Sequence, residues 1–564
     1  MKETFNTFFK ITLPIVFLFL FVNDIFSQSE SVPVTHPIYF YLTKLHVKGL
    51  LPGYNDMILP LSRKDISNLL HQAEETLPDS SEFDRRMFDY YKNYFAEKCF
   101  YNNKSFVDGM SFNEHFTSGA ENYFFLYNDS TLHIAINPII SLRNIYTNYA
   151  NIGYQNSTLI TYGGAIKLNY ADWLAVYFEG WNGYVFGDRE TAKYDQRVTQ
   201  SFSFNDTKLN FFDGTTGYIR AQYDLFTFEF GRQRILWGAS EINRIILGDV
   251  AQTFDYLKFG IHHKLFSYDF LHGWLVQPAK KIFGDSIIGD IEVKDSKYIA
   301  LSRLGINLSD KLNLGISQSV IYANRPAEAA YLNPFLLWES AQRSMNDLDN
   351  GFLILDGKYL PFNGSEMYFS IVLDDFNLDV FKKEKWNSAA NRMAWQIGTV
   401  IEEPFALKNL TFQFDYLQVR PFTYSHPAVG EALAYTNNSN PLGADVEPNS
   451  TLTTLRTDYF FTDRIHARFE YRHKLHGANE YDEEGNLIRN IGGSYFRSYG
   501  WDIPSTIHLL DGVLEVTNSY LLTLTYYFSY NINIEAELFH SRMEVHNKNT
   551  NFSAVSFLLK YCLF

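Results

Sequence analysis

The sequence predicts an all-β membrane barrel, antiparallel and of about 16–18 strands, with a small N-terminal α-helical domain in front of it. Three observations carry that prediction. Apolar residues recur with a helical period up to about residue 100, and with a period of two from about Asp108 to the C-terminus. Aromatic residues make up 17% of the 564 residues while 20% are charged and the mean hydropathy is only -0.20, a combination that suits strands with lipid on one face and water on the other. A transmembrane helix needs about 18 or more consecutive apolar residues. The longest apolar run, residues 11–22, is shorter and stands at the extreme N-terminus.

Residues 1–27 read as a secretory signal. Lys2 and Lys10 give its basic region and precede the apolar stretch ITLPIVFLFLFV, and polar Asn23, Asp24 and Ser27 follow, with cleavage expected near Ser27. No cysteine directly follows the apolar stretch, so a lipid-anchored mature N-terminus is not expected.

Residues 28–108 are expected to form a periplasmic helical region. Pro37 suits the first turn of a helix with Tyr41, Leu42 and Leu45 on one face, which Gly49 can end. Ser62-Arg63-Lys64-Asp65 resembles a capping box with Asp in the Glu position, opening a helix with Ile66, Leu69, Leu70 and Ala73 on one face. A third helix, from about Ser81, presents Phe83, Met87, Tyr90, Tyr91 and Tyr94. Three short amphipathic helices cannot bury their faces alone, so they should pack together or against the barrel.

Residues 109–564 are the expected outer-membrane barrel. In one strand Ile532, Ile534, Ala536 and Leu538 alternate with Asn533, Glu535 and Glu537. Others set Ile465, Ala467, Phe469 and Tyr471 against His466, Arg468, Glu470 and Arg472, or Leu410, Phe412 and Phe414 against Thr411, Gln413 and Asp415. A further strand alternates Met367, Phe369, Ile371 and Leu373 with Tyr368, Ser370, Val372 and Asp374. Turns alternate between short ones, as at Ser309-Asp310-Lys311, and long polar loops, as over residues 425–450. Tyr170, Trp173, Tyr177, Trp181 and Tyr184 bracket one hairpin and Tyr526, Tyr527, Phe528 and Tyr530 another, as interfacial girdles do. The terminal Phe564 falls on the opposite parity to Val555, Phe557, Leu559, Tyr561 and Leu563.

Composition and motifs exclude several function classes. A formal net charge of -15 with no basic cluster speaks against nucleic acid as a partner. Cys99 and Cys562 are too few for a disulfide framework or a CxxC zinc site. The chain holds no G-x-S-x-G, H-E-x-x-H, Walker or G-x-G-x-x-G motif, so no enzyme activity, catalytic residue, cofactor or metal is expected. His262 and His263 are neighbours in a strand and must point to opposite faces. The same alternation separates Asp374 from Asp375. The acidic loop at residues 346–351 is reminiscent of a calcium site, but its spacing departs from the EF-hand pattern.

Chemistry concentrates in residues 228–248, FEFGRQRILWGASEINRIILG. Arg232, Arg234, Trp237, Glu241 and Arg244 are the candidate polysaccharide-binding residues. An indole stacks on the apolar face of a sugar, and guanidinium forks onto carboxylates and hydroxyls. If the strand continues, Arg232 and Arg234 share one face while Trp237 has the other parity. The competing reading of the same residues is a salt-bridge lattice that rigidifies the lumen.

The segment GRQRILWG at residues 231–238 is followed by FDYL at 254–257, YLNPF at 331–335, LDDF at 373–376, NPLG at 440–443 and PNS at 448–450. Together with the helical start, His36-Pro37 through Leu45 and Pro60-Leu61-Ser62-Arg63, these blocks resemble the Wzi-like capsule assembly proteins. Ala239-Ser240-Glu241 departs from that family's more glycine-rich stretch, and no block beyond Ser450 matches. The resemblance implies a β-barrel in the outer membrane of a Gram-negative bacterium that assists attachment of capsular polysaccharide by lectin-like binding. The expected partners are capsular or other surface polysaccharide and outer-membrane lipid, with the barrel a monomer. The alternative is a porin-like diffusion channel in which Arg220, Arg232, His466, Arg468 and Arg472 line the lumen. Against it, a helical segment able to sit beneath the barrel points to occlusion.

Overall fold

A computed structural model describes residues 28–562 except 78–80, 96–104, 110, 112–121, 150–151, 207, 279, 283–290, 346–348, 375–386, 427–429, 498–505 and 530–531. The expected signal segment, Cys99, Asp375, Tyr530, Phe564 and the start of the acidic loop lie outside the described residues.

Three helices come first. α1 (Ile38–Val47) starts after Pro37, and Gly49, at φ +77°, lets the chain turn away behind it. α2 (Arg63–Glu74) carries the expected capping box: Ser62 accepts from the Asp65 amide and Asp65 reaches back to the Ser62 amide. α3 (Glu82–Phe95) opens the same way, with Ser81 Oγ accepting from the Asp84 amide at 3.1 Å. Tyr41, Leu42, Leu45, Ile66, Leu70, Phe83, Met87 and Tyr94 meet in one buried cluster, the faces that the 3.6-residue period selects.

Eighteen antiparallel strands then close into a barrel. The first six are β1 (Leu132–Tyr149), β2 (Gly153–Tyr170), β3 (Leu174–Gly187), β4 (Phe211–Tyr223), β5 (Phe226–Arg232) and β6 (Asp255–His263). Next come β7 (Phe266–Val276), β8 (Ser296–Ser309), β9 (Leu312–Ala323), β10 (Asn350–Phe362), β11 (Ser365–Asp374) and β12 (Arg392–Glu402). The last are β13 (Leu410–Val419), β14 (Ser450–Phe460), β15 (Ile465–Ala478), β16 (Val513–Ser529), β17 (Ile532–Val545) and β18 (Lys548–Cys562). β18 pairs with β1 from Ile139 to Tyr149, and the short strand Phe125–Asn128 takes the remaining edge of β1 at His133–Ile136. The two pairings together cover the edge of β1 apart from Leu132, Asn137 and Pro138, in keeping with the cost of an open sheet edge in lipid.

Side-chain parity matches the two solvents. On β13, Thr411, Gln413 and Asp415 are buried in the lumen; on β11, Tyr368, Ser370 and Asp374 are buried while Met367 faces out. Ile534, Leu538 and Phe469 are exposed on the outer wall. The aromatic bands need correction. Tyr170 and Tyr184 lie on the outer wall, but Tyr177 has the opposite parity and stacks on Tyr218 inside the lumen, ring centres 5.4 Å apart. Tyr526 and Phe528 likewise face out while Tyr527 turns inward toward Arg468. A girdle is a property of one face, and a run of adjacent aromatics must be split between both.

Turns such as Asp224-Leu225 and Asn363-Gly364 gather at one end, where the helices also sit. There the Gly364 amide donates to Val47 O at 2.6 Å, Lys48 Nζ reaches Glu403 at 2.7 Å, and the Phe40 ring meets Phe460 at 5.7 Å. The connections β3–β4, β5–β6, β9–β10, β13–β14 and β15–β16 are long and begin at the opposite end.

Candidate functional site: the filled lumen and its long-loop face

The β5–β6 connection, residues 233–254, does not leave the barrel. It folds inward and divides the candidate residues between a rim and an interior. Arg232 is the last residue of β5 and faces outward, its guanidinium forked on Asp255 across the sheet at 2.8 and 2.9 Å, both side chains partly exposed. Arg234 stands beyond the strand end, so strand alternation does not carry over to it. It donates to Asp249 O (2.9 Å), Ala251 O (2.6 Å) and Gln200 Oε1 (2.6 Å), binding two loops together at the rim. Between the two arginines Gln233 turns inward onto Glu229 Oε1 at 2.6 Å.

Trp237, Glu241 and Arg244 are interior. Trp237 is wholly buried; Leu236 and Trp237 pair as a strand with Leu59 and Ile58 from the N-terminal region. The candidate segment is thus zipped to the helical region inside the barrel. Arg244 donates to Asp56 O at 3.0 Å and Gly238 O at 2.5 Å, 3.8 Å from the Asp56 carboxylate. Glu241 accepts from Gln413 of β13 at 3.0 Å. Arg232, Arg234 and Trp237 are therefore not brought to one surface.

Several latches carry no sequence motif. Asp415, wholly buried on β13, accepts from Ser240 Oγ (2.9 Å), Asn243 Nδ2 (2.9 Å), Tyr368 OH (2.7 Å) and Gln396 Nε2 (2.9 Å). Lys358 bridges Asp56 (2.5 Å) to Glu366 (3.1 Å), and His46 lies 3.3 Å from Glu366. These join the helical region, the inward loop and the wall. Buried charges persist only when paired in this manner.

The β13–β14 connection, residues 420–449, folds in from the long-loop end and caps the first. Lys297 Nζ of β8 donates to Ala434 O at 2.8 Å and Thr436 Oγ1 at 3.1 Å, and Tyr435 OH donates to Ile246 O at 2.9 Å. The two loops touch backbone to backbone: the Gly248 amide donates to Leu442 O at 2.8 Å. A Cβ on Gly443 would lie 2.6 Å from Ile245 O, and one on Gly248 2.7 Å from Gly443 O. Glycine is required at both places. Junction cavities are small; one lined by Gln233, Arg234, Leu247, Gly248, Gln252 and Leu442 holds about 20 Å³, room for roughly one water.

The family model for "Capsule assembly protein Wzi" matches residues 175–555. The chain belongs to that family. It is an outer-membrane β-barrel, in keeping with its closed sheet and apolar outer wall. No curated protein sequence matches it. Among solved structures it is similar to Wzi from Escherichia coli, described as an outer membrane protein involved in group 1 capsule assembly and a carbohydrate-binding β-barrel. The TM-score is 0.56 at 11% identity, covering 95% of this chain and 100% of that one. OccK5 from Pseudomonas aeruginosa (TM-score 0.40, 9% identity, 76% of this chain and 97% of that one) also matches. So does OccAB4 from Acinetobacter baumannii (0.40, 11%, 76% and 97%).

In this Wzi-family barrel the recurrent sequence blocks occupy staples. Asp374 Oδ2 accepts from the Tyr424 amide at 2.6 Å, and Asn449 Nδ2 donates to Gly477 O (2.8 Å) and Asp511 O (2.9 Å). Gly443 of NPLG is the close-contact glycine above. His262 points into the lumen 3.0 Å from Asp269, while the His263 ring lies 5.5 Å from that of outward-facing Phe266. Asp349, at the end of the acidic loop, is held by Arg325 (2.5 Å) and Tyr331 (2.6 Å).

Acid should loosen the helical region. Asp84 of α3 is buried, which by itself raises its pKa, but Lys44 (3.2 Å) and Lys48 (2.7 Å) more than offset this and hold it below the usual carboxylate value. A depressed folded-state pKa contributes stability that is present above the unfolded value of about 3.9 and lost as pH falls through the folded one. Proteolysis within residues 38–95 should therefore accelerate below about pH 4, and Asp84→Asn should flatten that dependence while raising cleavage at neutral pH.

Proposed function

We propose that this protein is a non-enzymatic, lectin-like component of capsule assembly that holds capsular or related surface polysaccharide on its long-loop face. The helical region then faces the periplasm, the long loops face outward, and the monomeric barrel is a filled pedestal in the lipid. The filling of the lumen carries this reading: the residues 56–59, the β5–β6 loop and the β13–β14 loop are bonded to one another and to the wall. A conducting role would leave that construction without purpose. Family membership and the carbohydrate-binding description of the Escherichia coli Wzi structure support the same assignment.

The five candidate residues take two roles in this proposal. Arg232 and Arg234, at the rim, contact the glycan; Trp237, Glu241 and Arg244, beneath it, hold the loops that form the binding surface. Capsule retention on cells separates the roles. Arg232→Ala and Arg234→Ala should reduce retained polysaccharide at unchanged barrel abundance, each losing about 1.5–3 kcal/mol if its partner is a sugar carboxylate. Trp237→Ala should lower the amount of folded protein as well. Full retention in both arginine variants would remove them from the binding surface.

A further inference from the structure

The β9–β10 connection leaves the long-loop end yet does not stay there. Its two short helices, Ala329–Leu332 and Trp338–Ser344, bury Tyr331, Trp338 and Ala341 against Phe270, Tyr298, Ala300, Val320 and Tyr322. Those barrel positions have the outward parity: on the same strands and the same face, Phe266, Leu304, Ile306, Leu314 and Ile316 are exposed to lipid. The connection therefore folds back down the outer wall. It also roofs polar groups on that wall. Gln318 is satisfied by Leu336 O (2.9 Å) and the Trp338 amide (3.1 Å), and His272 lies wholly buried with Nε2 2.6 Å from Tyr322 OH. A lipid-facing strand cannot leave such groups bare.

The descent is deep. Tyr268 OH donates to Pro334 O, and the Phe335 ring stacks on Tyr268 at 5.6 Å and meets Phe259 at 6.3 Å. Phe335 is 72% exposed, Leu337 74% and Leu332 37%. They extend the barrel's own apolar belt, which continues from Phe259 to Phe226, 6.4 Å away, and on to exposed Phe228 and Phe230.

We propose that this connection is a membrane-embedded strap, with Leu332, Phe335 and Leu337 covered by lipid acyl chains. Continuity with the belt selects lipid as the occupant. The exposed pair Glu339–Arg343 (2.6 Å), two and six residues beyond Leu337, then sits at the headgroup layer and sets the depth. The strap makes part of this loop unavailable to soluble glycan and tethers the long-loop face to the membrane.

The test uses full-length Cys99→Ser/Cys562→Ser protein in phosphatidylcholine vesicles, with an environment-sensitive fluorophore on a single introduced cysteine. Phe335→Cys and Leu337→Cys are compared with Ile316→Cys, on the belt, and Tyr154→Cys, exposed at the long-loop end of β2. Strong quenching by acyl-brominated lipid and protection from aqueous iodide, matching Ile316→Cys, is the expected result. Quenching by iodide as at Tyr154→Cys would overturn the proposal. So would protection from both quenchers, which would mean that protein and not lipid covers the strap.

Discussion

In planar bilayers the intact protein should pass only a small fraction of the current of an open barrel of this size, and excising residues 239–250 should raise its conductance severalfold. A barrel of 16–18 strands leaves an aqueous channel unless something fills it. Here the filling is layered. Removing the helices alone takes away one end, but Ser240 and Asn243 remain on Asp415, and the β13–β14 loop remains on Lys297 and Ile246. Deleting residues 33–95 should thus change conductance less than excising the inward loop. Asp415→Ala should act between these extremes. It strips the acceptor from four buried donors, a loss of a few kcal/mol at about 1 kcal/mol each, and should produce flickering openings in an otherwise folded barrel. A large, steady conductance in the intact protein would favour the channel reading.

The largest single-site loss of stability is expected at Arg303. Its guanidinium bonds Asp356 through Nε at 3.1 Å and Nη2 at 2.6 Å, and Asn313 at 2.8 Å, with both charged side chains essentially without solvent contact. Two glycines make room for it: a Cβ on Gly305 or Gly315 would lie 2.3 Å from a guanidinium nitrogen. Arg303→Leu leaves a buried carboxylate without its partner and should cost about 3–5 kcal/mol, whereas the double variant with Asp356→Leu should recover most of that. The midpoint of urea unfolding in detergent measures both. Arg232→Ala, breaking a pair whose partners are 38% and 53% exposed, should shift the same midpoint by under about 1 kcal/mol.

The barrel was legible because lipid and lumen enforce opposite parities over hundreds of residues, and the helices because Ser62, Asp65 and Gly49 sit where caps belong. The aromatic bands were half legible: clustering at strand ends is visible, but Tyr177 and Tyr527 follow parity into the lumen. The candidate segment was recognisable as unusual without its role being so. Arg232, Arg234 and Trp237 are close in sequence, yet the strand ends at Arg232 and the chain turns inward, so proximity is lost. Asp415, Lys297 and Lys358 had no motif, since partners such as Asn243, Ala434 and Asp56 lie 172, 137 and 302 residues away and only the closed barrel assembles them. Their one sequence signal was charge on the lumenal parity of an apolar strand. The outer strap left a comparable trace in Gln318 and His272, polar residues at lipid-facing positions.

On the proposed reading, a filled barrel binds polysaccharide at its long-loop face. The most direct test is equilibrium binding of the purified, folded protein to immobilised capsular polysaccharide from the cells that make it. Binding should be saturable and reversible, and Arg232→Ala and Arg234→Ala should weaken it while urea midpoints stay close to that of the unaltered protein. Absence of saturable binding by protein whose barrel is demonstrably folded would contradict it.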